Sequence, residues 1–236
     1  MTRSETSTLS RGMHPFVTLP PRVVVMVLLV AAFGCKRDSS SPSNGTKSTG
    51  NGSATSTSQP ERKKIDLEHP VVRIETSAGT ITLRLDGIRA RGTVRNFLDY
   101  ANDKFYDNTL VHFVEPGKMI VAGGYSTDRT FKPARTPIRN EAHNGLKNVR
   151  GTIAMARDQS LIDSATSQFF INLADAPQRD HAGDSPEKYG YCVFGEITEG
   201  LDVAERISQA PTADQGGDLA QTPDPPVSIK SIRVVQ

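Results

Sequence analysis

The chain has 236 residues and a formal net charge of +2, with 28 Lys and Arg against 26 Asp and Glu. That is enough for one substantial core or two small ones, and too little for several domains. A near-neutral balance with no basic stripe interleaved with aromatics excludes a chain built to track a phosphate backbone, so no nucleic-acid partner is expected. Two cysteines, Cys35 and Cys192, exclude a disulfide framework. His14, His69, His112, His143 and His181 are scattered without ligand spacing, so no metal is expected.

In chain order, Arg3, Arg11 and Arg22 precede the apolar run "VVVMVLLVAAFGC". The run is short of the roughly 20 residues that a membrane-spanning helix takes, and it reads as the core of a signal peptide over residues 1–34. Its end, "AFGC", resembles the lipobox of bacterial lipoproteins, with Ala32 at the usual leucine position and Phe33 next to it. The resemblance implies a lipid on Cys35 and a place in the bacterial cell envelope; a plainly cleaved signal or an uncleaved anchor are the alternatives. Residues 35–64 are rich in Ser, Thr, Gly and Asn, have almost nothing apolar to bury, and read as a flexible tether. The folded part is expected over 65–236.

There the pattern changes. "VVRIETSAGTITLRLD" alternates apolar and polar residues on either side of Ser77-Ala78-Gly79, which predicts a hairpin. In "TVRNFLDYANDKF", Val94, Phe97, Leu98 and Ala101 fall on one face of a helix. Five short apolar runs follow, "TLVHFV", "KMIVA", "GTIAMA", "SQFFINL" and "YCVFGEI", separated by Gly, Pro, Asn and Asp. Strands at such spacing predict a barrel or sandwich. "GLDVAERISQ" predicts a second helix with Leu201, Val203, Ala204 and Ile207 inward and Pro211 just past its end. "VSIKSIRVV" alternates again and can close the sheet, leaving few exposed edges.

The blocks "TVRNFLDYA", "FYDNTLVHFV", "PIRNEAHNGLKNVRGTIAMAR", "SATSQFFINL" and "YGYCVFGEITEGLDV" resemble, in order and spacing, those of bacterial cyclophilins. Over about residues 70 to 235 the resemblance implies a mainly β fold, a closed eight-stranded antiparallel barrel with two capping helices. It also implies peptidyl-prolyl cis/trans isomerisation, which needs no nucleophile, metal or cofactor. Such a site holds the proline ring in an apolar pocket, anchors the flanking backbone and stabilises the twisted amide.

Carried over residue by residue, the family's catalytic arginine follows the histidine of a "F-H-R-V" strand. Here "VHFV" keeps His112, in a supporting role, and has Phe113 at the arginine position; a phenyl ring cannot donate a hydrogen bond. Where the family reads "G-F-M-I-Q-G-G", "GKMIVAGG" keeps Met119, replaces an aromatic pocket wall by Lys118 and a backbone-anchoring glutamine by Val121. Gln178 and Arg179, in "APQRDHAG", stand where the family has an aromatic or apolar pair over the pocket. Retained are Met155-Ala156-Arg157 as a strand that pairs with the peptide, Gln168 as an anchor, Phe170 as the pocket floor and Tyr191 as a wall. Lys118 or Arg179 could stand in for the missing donor, or be solvated rim charges. Cys192 reads as a small buried apolar residue and Glu141 as a carboxylate bracing a loop.

Three functions fit these residues. One is a monomeric envelope isomerase of reduced or altered activity, acting on proline-containing peptides or unfolded envelope proteins. Another is a non-catalytic peptide-binding or chaperone-like module, and the third is a structural protein that has kept only the scaffold.

Overall fold

The computed structural model describes residues 66–235, within the compact unit Arg62–Gln236. The segments expected to be a signal peptide and a tether, with Cys35, lie outside the described residues. β1 (Val71–Thr76) and β2 (Gly79–Leu85) form the expected hairpin, turning at Ser77-Ala78. Alternation sends Val72, Ile74, Ile81, Leu83 and Leu85 inward, each at most 2% exposed. α1 (Arg91–Asn102) buries Val94, Phe97, Leu98 and Ala101. Ala90 offers it no side-chain cap. Instead Glu141, from a distant loop, accepts from the Gly92 N–H at 3.1 Å, the Thr93 N–H at 2.8 Å and Thr93 Oγ1 at 2.7 Å. The carboxylate thereby satisfies amides that the first helical turn leaves unpaired.

β3 (Thr109–Glu115), β4 (Met119–Ser126), β5 (Thr152–Met155), β6 (Phe169–Asn172) and β7 (Val193–Glu199) come from the five short apolar runs. α2 (Leu201–Ser208) buries Val203, Ala204 and Ile207, with Leu201 half-buried. β10 (Ser228–Val234) pairs with β1 and β3 and closes the barrel in the order β1-β10-β3-β4-β6-β5-β7-β2. All of its pairings are antiparallel, and eight strands take part. Two further strands, β8 (Thr212–Ala213) and β9 (Thr222–Pro223), form a separate small sheet. At two residues each they have no periodicity to read.

Register fixes which residues fill the barrel. Val114, Ile120, Ile171, Ile153 and Gly195 pair across β3, β4, β6, β5 and β7 as one inward row. Under α1 the Phe97 ring lies 5.3 Å from Tyr106, 5.5 Å from Phe169 and 5.3 Å from Phe194, centroid to centroid. These tilted and edge-on contacts suit aromatic quadrupoles.

Candidate functional site

One residue from each of Val114, Ile120, Ile171 and Ile153, and two from Gly195 where the register shifts between β5 and β7, lies a second row, facing out. Phe113, Val121, Phe170, Ala154 and Val193 are successive cross-strand partners over the same five strands, so they share the outer face. Glu115, Met119 and Asn172 form the neighbouring row on that face. Ala154, Phe170 and Val193 are buried there with Met119, Val121, Leu146, Ala156 and Tyr191 packed against them, apart from the barrel core. The fold thus brings together Phe113, Met119, Val121, Ala156, Phe170 and Tyr191 on one patch.

Phe170 is only 4% exposed although it lies on the outside. Tyr191 meets its ring edge-on at 5.6 Å, and the guanidinium carbon of Arg179 stands 5.3 Å from its centroid. Arg179 closes the short 3₁₀ turn Pro177–Arg179. Its carbonyl accepts from the Tyr191 N–H at 2.9 Å and from Asn148 Nδ2 at 3.1 Å. Its Nη1 donates to Asn172 Oδ1 at 3.1 Å, while Asn172 Nδ2 donates to Thr152 Oγ1 at 3.0 Å and Asn148 Oδ1 at 3.2 Å. Burial lowers the Arg179 pKa from its ordinary value, against the opposing pull of Glu115.

The other altered positions point elsewhere. Lys118 is exposed at the β3–β4 turn, and its Nζ lies 2.5 Å from Glu115 Oε1 rather than over the Phe170 ring. Gln178 is exposed. Of the two cations weighed from the sequence, only Arg179 covers the floor ring.

His112 is 3% exposed, its ring 4.9 Å from that of Tyr125, and its Nδ1 has no hydrogen-bond partner. Burial pushes its pKa down to about 4, with Asp218, Leu110 and Gln168 pulling weakly the other way. It is a neutral imidazole packed against Tyr125. Gln168 is half-buried against Gly124, where a Cβ would come within 2.7 Å of Gln168 Cδ; only glycine leaves it that room.

At the end of β5 the Ala156 N–H donates to the Gln168 carbonyl at 2.9 Å. The Arg157 N–H and C=O take no part in hydrogen bonds among the described residues, leaving a free donor and acceptor beside the patch. The Arg157 guanidinium is occupied: it donates to the carbonyls of Gly190 at 2.9 Å, Asp158 at 2.8 Å and Pro186 at 2.6 Å, and stacks 5.1 Å from Tyr191. Cys192 is buried, its thiol pushed up to about 12 by burial. A cavity of about 450 Å³ adjoins the patch at Val193 and Leu146 and extends between Arg84, Glu196 and Lys147. None of the residues carried over from the sequence lines it.

Sequence reasoning missed Asn148, Asn172 and Glu115. Asn172, fully buried in "FINL", is a polar residue in an apolar strand, and buried amides need partners. That was a usable signal. Glu115 and Lys118, three apart across "EPGK", were another.

Residues 71–234 match the family described as Cyclophilin type peptidyl-prolyl cis-trans isomerase/CLD. Over 165 residues the chain is 46% identical to peptidyl-prolyl cis-trans isomerase A of Dickeya dadantii, covering 70% of this chain and 84% of that protein. Over 164 residues it is 43% identical to peptidyl-prolyl cis-trans isomerase B of Escherichia coli, covering 70% of this chain and 99% of that one. Among solved structures, a Cryptosporidium parvum cyclophilin type peptidyl-prolyl cis-trans isomerase, crystallised in the presence of the dipeptide Ala-Pro, superposes with a TM-score of 0.57 at 23% identity. That likeness covers 70% of this chain and 99% of the other, and it is one of fold. With the closed barrel and both helices in place, the chain belongs to the cyclophilin-type peptidyl-prolyl cis-trans isomerases.

Proposed function

We propose that the chain is a peptidyl-prolyl cis-trans isomerase of the cell envelope whose outer patch is a peptide groove that turns over slowly. Rotation about a prolyl bond meets a barrier set by amide resonance, of roughly 18 to 20 kcal/mol. A site lowers it by holding the flanking peptide, excluding water and donating to the twisted amide. Phe170 with Met119 and Tyr191 serves as the apolar seat. Gln168 and the unpaired main chain of Arg157 anchor the peptide backbone as an added strand would.

The observation that carries the reading is the outer row itself: Phe113, Val121 and Phe170 are successive partners on one face. Phe113 therefore stands beside the floor with no hydrogen to donate, and Val121 between them has no amide. By analogy with loss of one oxyanion-hole donor, turnover falls about 100 to 1000 fold below that of a cyclophilin with its arginine. The envelope location rests on the sequence of residues 1–64, with Cys35 as the lipid attachment point and proline-containing peptides or unfolded envelope proteins as substrates. The closed barrel offers no free edge for strand-to-strand assembly, which favours a monomer.

A second reading, a binding module without turnover, draws on Arg179, whose guanidinium covers the Phe170 ring. Isomerisation of a proline peptide by the wild-type chain, by Phe113→Arg and by Phe113→Arg/Lys118→Phe separates the two. Slow wild-type turnover that rises at least about tenfold in Phe113→Arg supports the isomerase. Wild-type turnover equal to that of an arginine-bearing cyclophilin overturns the role given to Phe113. Binding with no turnover in any of the three favours the module.

A further inference from the structure

We propose that Arg179 makes the groove selective for peptides with a carboxylate side chain next to proline. The inference rests on the reading of the outer patch as a peptide groove and names the substrate class it takes. A guanidinium has five N–H donors in a rigid planar fork suited to a carboxylate. Arg179 commits one, to Asn172 Oδ1 at 3.1 Å, and makes no ion pair among the described residues. The neighbouring carboxylates are engaged: Glu115 holds Lys118 Nζ at 2.5 Å, and Asp180 accepts from the Asn148 N–H at 2.8 Å with Lys147 Nζ 3.5 Å away.

The Arg179 main chain is held in place beside the patch. The Arg179 carbonyl is fixed by Tyr191 and Asn148, its N–H donates to the Ala176 carbonyl at 2.9 Å, and the residue is half-buried. A cation partly withdrawn from water and lacking a counter-ion gains more from an incoming carboxylate than an exposed one does. It also lies over Phe170, the seat a proline ring needs. A peptide whose acidic side chain flanks its proline supplies the guanidinium with a bidentate partner as it leaves the ring, so one contact both binds the peptide and uncovers the floor. A neutral peptide has to displace the guanidinium without that return.

The test is peptide binding rather than turnover, measured by calorimetric titration of residues 62–236. The barrel closes within that range, and the Escherichia coli relative is 99% covered by the same match. The probes are acetylated tetrapeptide amides Ala-Glu-Pro-Ala and Ala-Ala-Pro-Glu, each beside its Gln counterpart. At least one acidic peptide should bind about five to tenfold tighter than its Gln counterpart, as a half-exposed charge-assisted pair allows, and Arg179→Gln should abolish the difference. Equal binding of acidic and Gln peptides to the wild type overturns the proposal and leaves the groove standing. A preference that survives in Arg179→Gln overturns the role of Arg179. Failure of all four to bind, in wild type and variant alike, overturns the groove and the proposal with it.

Discussion

His112 ties the stability of this barrel to pH. Its imidazole is 3% exposed, lacks a partner at Nδ1, and has its pKa lowered from 6.5 to about 4, chiefly by burial. The unfolded chain therefore binds a proton that the folded chain refuses between those values. For a base with a depressed folded pKa, the stabilisation is complete above the unfolded pKa and is lost as pH falls from 6.5 towards 4. From about pH 7 to about pH 5 the loss works out at about 2 kcal/mol, and at about 3 kcal/mol once the folded pKa is passed. Asp86 and Asp107, held below the ordinary carboxylate range, titrate under that upper window and do not confuse it. The assay is urea unfolding of residues 62–236 at about pH 7 and about pH 5, for wild type and His112→Gln. The variant has nothing to protonate at this position, so its fall should be smaller by about 2 kcal/mol whatever its absolute stability. An equal fall in both proteins would falsify the account of His112 as a buried neutral imidazole.

Two further changes probe the scaffold that holds the site. Glu141→Ala removes the carboxylate that caps α1 through the Gly92 and Thr93 amides, and thermal unfolding should show a loss of about 1 to 2 kcal/mol; no loss would mean that water satisfies those amides equally well. Gly123→Ala puts a side chain at φ +90° with its Cβ 2.8 Å from the Ser167 carbonyl oxygen. Denaturant unfolding should register a cost of about 1 to 3 kcal/mol, and an unchanged midpoint would contradict so close a strand approach.

Much of the barrel was legible because burial follows period two on β1 and β2 and one helical face on α1. Val72, Ile74, Ile81 and Leu83 announce their own side of the sheet. β3 was harder to read face by face. "TLVHFV" is apolar almost throughout, and five of its six residues are buried, so burial does not alternate along it. The candidate site was legible only through the resemblance, since no spacing rule joins Phe113 to Val121 and Phe170 without a register. Contacts between distant segments were not legible either. Glu141 reaches α1 from 48 residues away at Thr93, and Asn172 meets Asn148 from 24 away. What Arg179 and Lys118 touch depends on side-chain direction: one guanidinium turns over Phe170, while one ammonium folds back onto Glu115.

The central claim is that the outer row from Phe113 to Val193 is where a prolyl peptide lies. Backbone amide shifts of residues 62–236, followed while an Ala-Pro-containing peptide is titrated in, test it most directly. The account predicts that the shifted amides gather at 113–121, 154–157, 168–172 and 179–193, with little change on the hairpin of β1 and β2. Shifts centred instead on the cavity between Arg84 and Lys147, or no shifts at any peptide concentration, would contradict it.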